Sequence, residues 1–279
     1  MIRFRCGISV LAMLGASCPA LAADLSVAPI YKAPPTAVQT PGWSGFYVGV
    51  NAGGAWGDAD ISVAPGGSWL TSAAPADIAG ANLLRTFGPT SHSPTGFTGG
   101  ATAGYNVQNG SFVAGVEADF NYIGLKTSTV RGPFANPVSG TLNTFSETTE
   151  TNWLATVRGR AGFLVNPNTL VYGTGGVAFA QQKLADTVTL SSGLAFNGAV
   201  SDTKVGWTVG GGLEYSLGSN WTAKFDYLYA DLGKVGVTAT ESGPGADPTF
   251  NIKFGSHYTV NVVRAGVNYK FDVPVISKY

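Results

Sequence analysis

The chain contains 279 residues, and its basic and acidic residues balance at 16 each. Charged residues make up 11 % of the chain, against roughly 25 % in typical soluble proteins. A strongly basic nucleic-acid-binding protein is therefore excluded, because such a protein needs an excess of Lys and Arg to neutralise phosphates. Aromatic residues at 11 % argue against an acidic disordered chain.

The N-terminus shows the three parts of a secretory signal peptide in the usual order. Arg3 and Arg5 form a positively charged start, residues 7–16 are mostly apolar, and Ala20-Leu21-Ala22 is a cleavage motif. We expect residues 1–22 to be removed, and both cysteines of the chain are removed with them. Beyond this segment no apolar run reaches about 18 residues, so the sequence contains no candidate transmembrane helix.

Two short segments flank the central domain, which we place at residues 43–271. Residues 23–42 contain four prolines and no regular hydrophobic pattern, so we expect an extended periplasmic linker. Residues 272–279 follow the last predicted strand as a C-terminal extension that includes Pro274.

Apolar and polar residues alternate with a period of two throughout the central domain, and none of the 15 prolines interrupts the alternating segments. The predicted strands lie near 46–53, 96–107, 111–123, 152–163, 170–180, 204–217, 221–232 and 257–271. This pattern predicts an all-β fold, a closed antiparallel transmembrane β-barrel, because open strand edges do not persist in lipid. A soluble β-sandwich also alternates and is the competing fold class.

Short and long connections alternate along the predicted strands. The short ones are Asn109-Gly110, Asn166-Pro167-Asn168 and Gly218-Ser219-Asn220. The long ones cover about 58–95, 124–151, 181–203 and 233–256. Short periplasmic turns and long extracellular loops are typical of outer-membrane barrels, so we expect eight strands. Parts of the last long connection also alternate, which makes ten strands possible.

Charged residues of the predicted strands share the parity opposite to the large apolar side chains, which places them inside the barrel. These interior charges are Glu117, Asp119, Arg158, Arg160, Glu214, Lys224, Asp226, Arg264 and Lys270. Counted from the turns, Glu214 should face Lys224, and Glu117 should lie at the height of Arg160. Four acidic and five basic groups in a narrow barrel predict a salt-bridged plug, with an ion-selective lumen as the alternative.

Large aromatic residues on the apolar parity concentrate near both ends of the strands. Such belts are typical of the two membrane interfaces. The predicted interface residues are Trp43, Trp56, Phe112, Trp153, Phe163, Trp207, Tyr215, Trp221, Tyr229, Tyr269 and Phe271, and we assign Tyr172 to the same belts.

Candidate sites of chemistry are few, and we expect no enzymatic activity, no cofactor and no metal. Ser256 and His257 could serve a lipid hydrolase, but a solvent-exposed histidine in a loop is the simpler interpretation. Tyr227, Tyr229 and Tyr258 with His257 could bind haem at the surface, whereas tyrosines near a barrel rim commonly anchor the interface.

Several segments, taken in order, resemble the small outer-membrane β-barrel (porin-family, OmpA-like) surface proteins of alphaproteobacteria, which include the Brucella and rhizobial outer-membrane antigens. They are residues 23–25, 32–35, 43–49, 115–119, 156–162, 172–176 and 268–271. The resemblance implies an eight-stranded barrel in the cell outer membrane with a structural or surface-antigen role.

The resemblance also implies partners and alternatives. Outer-membrane lipid, lipopolysaccharide and, during biogenesis, the barrel-assembly machinery are the implied partners, with no nucleic acid. Barrels of this kind usually end at an aromatic residue that the machinery reads; Phe271 fits, and residues 272–279 depart from the pattern. Hemin binding is claimed for some relatives. A narrow porin for small solutes and a surface protein that binds hemin or a host ligand therefore stay open as alternatives.

Overall fold

The computed structural model describes residues 42–271. The predicted signal peptide, the linker up to residue 41 and the C-terminal extension lie outside the described residues. Contacts divide the chain into residues 1–39 and residues 40–279, and every element described below belongs to the second unit.

Residues 42–271 form one nine-stranded antiparallel sheet, one α-helix and one short 3-10 helix at Ser68–Leu70. The elements are β1 (Gly45–Gly67), α1 (Pro75–Phe87), β2 (Thr90–His92), β3 (Thr95–Asn109), β4 (Phe112–Ala135), β5 (Leu142–Asn166), β6 (Thr169–Leu190), β7 (Ala195–Gly218), β8 (Trp221–Ser242) and β9 (Phe250–Lys270). Within this part of the chain, neither helix is long and apolar enough to cross a membrane.

The sheet closes on itself, which confirms the predicted barrel. Consecutive strands from β3 to β9 pair as neighbours, β1 pairs with β3, and β9 returns to β1 over 21 register pairs, from Tyr47↔Lys270 to Gly67↔Phe250. Eight strands of the described chain form this ring. The three-residue β2 pairs with β1 at residues 59–61, beyond the point where β3 begins.

The strands extend far beyond the predicted ends. Apart from β2 and the 15-residue β3, they have 21 to 25 residues, so strand occupies most of the residues expected in long loops. The connections that remain on that side are residues 68–94, 136–141, 191–194 and 243–249. The ten-strand alternative is wrong for the described residues, because the alternation at residues 250–254 belongs to the outer part of β9.

The polarity of the two barrel faces is reversed in the outer half of the strands. On β9, Val263 and Val267 face outward near Arg264, whereas farther along the strand Ile252 and Phe254 are buried inside and Lys253 faces outward. An apolar exterior is expected against acyl chains, and an apolar interior is expected where water surrounds the wall. The reversal therefore marks where the strands leave the apolar band.

β-Bulges change which residues face inward in the outer half of the barrel. The register between β5 and β6 shifts between residues 151 and 154, and the register between β8 and β9 shifts between residues 231 and 234. Each bulge moves the inward side chains to the opposite residue parity. Arg158 and Arg160 therefore face inward from even positions of β5, whereas Phe145 and Glu147 face inward from odd ones.

The short turns lie at the predicted end of the barrel. β7 and β8 are joined by Ser219 and Asn220, whose φ angles of 47° and 70° are those of a primed hairpin turn. β3 and β4 are joined by Gly110 and Ser111, one residue later than the predicted Asn109-Gly110, and only Gly110 of these has positive φ.

Most predicted interface aromatics face outward and meet in pairs across neighbouring strands. Near the short turns, ring centroids of Phe112 and Phe163 are 5.2 Å apart, and those of Trp221 and Tyr269 are 5.2 Å apart. Tyr215 is exposed at the same end, where Phe271 stacks on Phe46.

At the other level of the wall, Trp207 contacts Tyr229 at 5.4 Å, Trp153 stacks on Phe120 at 5.8 Å, and Trp56 lies 6.4 Å from Tyr227.

Trp43 and Tyr172 correct the prediction, because both side chains lie inside the barrel. Trp43 is 4 % exposed, and its indole nitrogen donates to the carbonyl oxygen of Pro167 at 3.2 Å. It packs with Val113, Leu170 and Tyr172. Trp43 precedes β1, so the strand parity does not fix its direction, and the chain instead turns it into the short-turn end of the barrel.

We predict that arginine substitutions on the outer face of β4 will locate the lipid band. Val116 and Val130 share this face and are 61 % and 70 % exposed, but only Val116 lies between the aromatic belts. Val116→Arg should lower the free energy of unfolding by about 2–4 kcal/mol, because it places a cation among acyl chains. The matched Val130→Arg change should stay within about 0.5 kcal/mol.

Equilibrium urea unfolding in phospholipid vesicles, followed by tryptophan fluorescence, measures both variants. Equal destabilisation by the two substitutions would contradict the assignment of the band.

Candidate functional site

Buried side chains inside the barrel form successive levels. The apolar group around Trp43 lies at the short-turn end. Next comes a set of eight buried charged residues, which we call the charge network: Glu117, Asp119, Arg158, Arg160, Glu214, Lys224, Asp226 and Arg264. A middle apolar layer follows: Ala55, Ala59, Ile123, Leu125, Leu154, Ala178, Ala180, Leu228, Ala230, Leu232, Tyr258, Val260 and Val262. An outer apolar cluster, into which Leu83 and Leu84 of α1 pack, lies at the far end.

Glycines give the charge network its space. Six of its eight residues have a glycine as the register neighbour on an adjacent strand of the described barrel. The neighbouring pairs are Glu117 with Gly104, Arg158 with Gly176, Arg160 with Gly115, Lys224 with Gly266, Asp226 with Gly212 and Arg264 with Gly53. A Cβ atom on Gly176 would lie 2.1 Å from the carbonyl oxygen of Val157, so no larger residue fits there without a shift of the backbone.

Glu117 lies at the centre of the network. Its carboxylate accepts hydrogen bonds from Arg158 at 2.6 Å, from Lys224 at 2.9 Å and from the hydroxyl of Tyr47 at 2.7 Å. Three strands besides its own thus converge on one side chain, which is possible only because the lumen is narrow.

A second group of charges surrounds Arg264. Its guanidinium donates to Asp226 at 2.8 Å and to Asp119 at 3.2 Å. Asp119 also accepts from Arg158 at 2.6 Å, and Lys224 lies 3.5 Å from Asp226. Asp119 therefore connects Arg158 with Arg264, so the charges around Glu117 and those around Arg264 form one continuous set of ion pairs.

Glu214 binds partners other than its predicted one. It lies opposite Lys224 in the register of β7 and β8, as counted from the turn, but Lys224 donates to Glu117. Glu214 instead accepts from Arg160 at 2.6 Å and from Asn268 at 2.8 Å. Arg160 does lie near Glu117, 3.5 Å away. Register alone did not identify the pairs, because long side chains cross the narrow lumen.

Two tyrosines that the sequence analysis did not assign to the lumen complete the network. The guanidinium of Arg160 lies 4.1 Å from the ring centroid of Tyr172 and donates to the Tyr47 hydroxyl at 2.9 Å. For Tyr47, the parity that it shares with Gly49 and Asn51 indicated an inward direction. The sequence around Tyr172 gave no such indication, because apolar residues and glycine occupy both parities of its strand.

Lys270 lies at the rim and outside the charge network. It shares the inward parity of β9, but its side chain is only half-buried and donates to the carbonyl oxygen of Gly42. Lys270 was predicted to belong to the interior set, and the structure places it on the inward parity at the rim. Without it, the network holds four acidic and four basic groups, so its formal charges cancel.

The outer half of the lumen contains a second ionisable group that the sequence analysis missed. Glu147 accepts a hydrogen bond from Arg131 at 2.5 Å and lies 3.2 Å from the Nε2 atom of His92. Asp186 is its register neighbour on β6. Burial, and secondarily the charge of Glu147, raises the pKa of Asp186 to about 7. We call these four residues the outer carboxyl cluster; all of them fall in segments that were expected to form loops.

The residues considered for catalysis or haem binding do not face one another. Ser256 is buried inside the barrel, whereas the next residue, His257, points outward and lies 3.1 Å from Asp231. Tyr258 is likewise buried inside, while Tyr227 faces outward. Within residues 42–271 no group of three His, Cys, Asp or Glu side chains is arranged to hold a metal ion.

We predict that breaking the charge network on one side will strongly destabilise the barrel. Arg158→Met removes the cation shared by Glu117 and Asp119 and should lower the free energy of unfolding by about 3–5 kcal/mol, because it leaves buried carboxylates short of a partner. Lys183→Ala, which removes an exposed pair with Glu150 at 3.5 Å, is the control and should cost less than about 1 kcal/mol.

Unfolding of both variants in vesicles gives the two free energies. A loss for Arg158→Met as small as that of the control would show that the network does not support the fold.

Known proteins resemble the chain over most of its length. A family model described as outer membrane protein beta-barrel domain matches residues 8–271. The chain is 34 % identical to the 31 kDa outer-membrane immunogenic protein of Brucella melitensis biotype 1 over 264 residues, which cover 94 % of this chain and 97 % of the relative. It is 32 % identical to the 22 kDa outer membrane protein of Rhizobium leguminosarum bv. viciae over 212 residues, with coverages of 76 % and 82 %.

Among solved structures, Neisserial surface protein A is similar at 17 % identity and a TM-score of 0.34, covering 82 % of this chain and 98 % of that one. The family match and the two relatives confirm the resemblance that the sequence motifs indicated. The chain belongs to the outer membrane protein β-barrel domain family and is a protein of the bacterial outer membrane.

Proposed function

We propose that the protein is a structural, non-enzymatic surface barrel that contributes to envelope integrity, with a lumen plugged by its own side chains. The observation that carries this proposal is the series of buried side-chain clusters inside the barrel, from Trp43 at the short-turn end to helix α1 at the other. Such an interior supports a role carried out by the wall and the outer end of the barrel.

The middle apolar layer argues most strongly against the narrow-porin alternative. Leu125, Leu154 and Leu228 are each no more than 2 % exposed and pack between the charge network and the outer polar groups. A hydrated ion would have to displace these side chains and exchange its water shell for a few uncharged polar groups, such as Thr151 and Gln182. The balanced charge of the network also gives no preference for cations or anions.

Lipid and lipopolysaccharide are the proposed partners of the wall. The paired aromatic rings at two levels suit the two interfaces of a bilayer. The strands continue past the outer belt, so their connections extend away from the membrane. The Brucella relative is named an immunogenic protein, and this extended outer end would provide a surface antigen here as well.

We further propose that the barrel-assembly machinery reads the end of β9. Phe271 follows the last strand residue and its ring contacts both Tyr269, at 5.2 Å, and Phe46, at 5.7 Å. These rings lie where β9 meets β1 and closes the ring. Removal of residues 272–279 should accordingly leave insertion into the outer membrane intact.

We predict that the purified full-length protein will show no large conductance steps in planar bilayers. Packed apolar side chains of residues 42–271 interrupt the lumen, so the current should stay at the baseline of the lipid. A known open porin in the same bilayers verifies the recording, and heat-modifiable migration on a detergent gel verifies that the protein is folded. Large and reproducible steps from the folded protein would overturn the plugged-lumen proposal.

Envelope integrity can be tested separately in cells. A strain that lacks the protein should become more permeable to detergent and to large hydrophobic dyes. Wild type and Lys183→Ala should restore the barrier, because the exposed pair is dispensable for the wall. Unchanged permeability in the deletion strain would refute the envelope role.

A further inference from the structure

We infer that the outer carboxyl cluster is a proton-controlled device that holds helix α1 and β2 against the outer end of the barrel. With one of its two carboxyls protonated, the helix stays packed; with both ionised, its attachment loosens. The inference concerns the outer half of the lumen and does not depend on whether the charge network blocks ion flow.

Glu147 is connected to α1 through Arg131. The guanidinium of Arg131 donates to Glu147 at 2.5 Å and also to the carbonyl oxygens of Phe87 and Gly88, at 2.7 Å each. These carbonyls end α1, where a cation is favoured by the helix dipole and by the unpaired carbonyl groups. One carboxylate on β5 thus fixes the arginine that holds the C-terminus of the helix.

Glu147 also contacts β2, the strand that follows the helix. The Nε2 atom of His92 lies 3.2 Å from its carboxylate. β2 pairs with β1 through only three residues, His92 among them. Both ends of the short segment between α1 and β2 therefore depend on the charge and position of Glu147.

Asp186 is the unusual member of the cluster. It is 1 % exposed, and neither of its side-chain oxygens has a hydrogen-bond partner. It lies directly beside Glu147 in the register of β5 and β6. An ionised carboxylate in this position would be buried without a donor and next to a like charge, so the protonated form is favoured.

Within residues 42–271, the two basic side chains of the cluster, Arg131 and His92, contact Glu147, and neither contacts Asp186. Its neighbour on β7 is Gly198, and the charged β7 residues Asp202 and Lys204 pair with each other at 2.8 Å. On α1, Asp77 accepts from Ser72 and Arg85 donates to Asn82. The inward residues packed there from β1, β8 and β9 are apolar: Ile61, Val63, Val235, Ala239, Ile252 and Phe254.

Asp186 also lies outside the lipid band. It follows the outward-facing Phe179 by seven residues of β6, or roughly 20 Å along the strand. Its protonation therefore responds to the pH of the medium around the cell.

The sign of the effect follows from the raised pKa. Folding shifts the pKa of Asp186 upward from its ordinary value of 3.8 to about 7. The packed outer end binds the proton on Asp186 more tightly than the opened outer end does. Protonation therefore stabilises the packed state fully in acid, and this stabilisation is lost as the pH rises towards and through the pKa of the folded state. Acidic medium closes the outer end, and neutral to alkaline medium loosens it.

Hydrogen–deuterium exchange of the full-length protein in vesicles tests this inference. After correction for the intrinsic exchange rate, protection of the peptides covering residues 75–92 should fall by about tenfold per pH unit between pH 5 and pH 7 and level off above about pH 8. Asp186→Asn should abolish this slope and keep the helix protected at high pH, because the amide cannot ionise.

Asp202→Asn is the matched control and should keep the wild-type slope, since Asp202 is half exposed and paired with Lys204. Glu147→Gln should lower protection of the same peptides at every pH, because it releases Arg131 and His92. A flat wild-type profile overturns the inference by itself, even if a variant does not fold. An equal slope in wild type and Asp186→Asn overturns it as well.

Discussion

The width of the lumen is the constraint on which the rest of the structure depends. A ring of eight strands has room for side chains and little else, so each inward polar group must find its partner among other inward groups. Glu117 consequently receives donors from β1, β5 and β8, and Arg264 lies between Asp119 and Asp226. The narrow lumen also explains the glycines beside six of the eight charges. Glycine has no side chain, so it leaves the space that the long charged side chains occupy.

The second organising feature is the change of surroundings along each strand. Near the short turns the wall is apolar outside and charged inside, and farther out β1, β6 and β9 carry apolar residues inside and polar residues outside. The hydrophobic effect drives apolar groups into the lumen only where water surrounds the wall. The outer half consequently has an interior core like that of a soluble protein, with α1 packed into it. The outer carboxyl cluster lies in this core, where burial shifts the protonation of Asp186.

The aromatic residues show how far a sequence pattern can be extended. Phe112, Phe163 and Trp207 lie within strands whose alternation fixes their direction, and they face outward as predicted from parity. Trp43 precedes β1, so no alternation applies to it. Tyr172 lies in a strand with apolar residues or glycine on both parities. For these two residues, the shape of the lumen and the partners Pro167 and Arg160 decided the direction.

The sequence by itself determined the closed antiparallel barrel, the part of its strands near the short turns, the end with short turns and the parity of the charge network. These features follow from local alternation, from the absence of proline within the predicted segments and from turn residues, all of which act over short stretches of chain. Only the tertiary structure decided the ion pairs, such as Arg264 with Asp119, which are 145 residues apart. It alone also decided the bulges, the outer strand extensions and the pairing of Asp186 with Glu147. Those features depend on which strands become neighbours around and across a narrow lumen. Local alternation acts over a few residues and does not specify these neighbours.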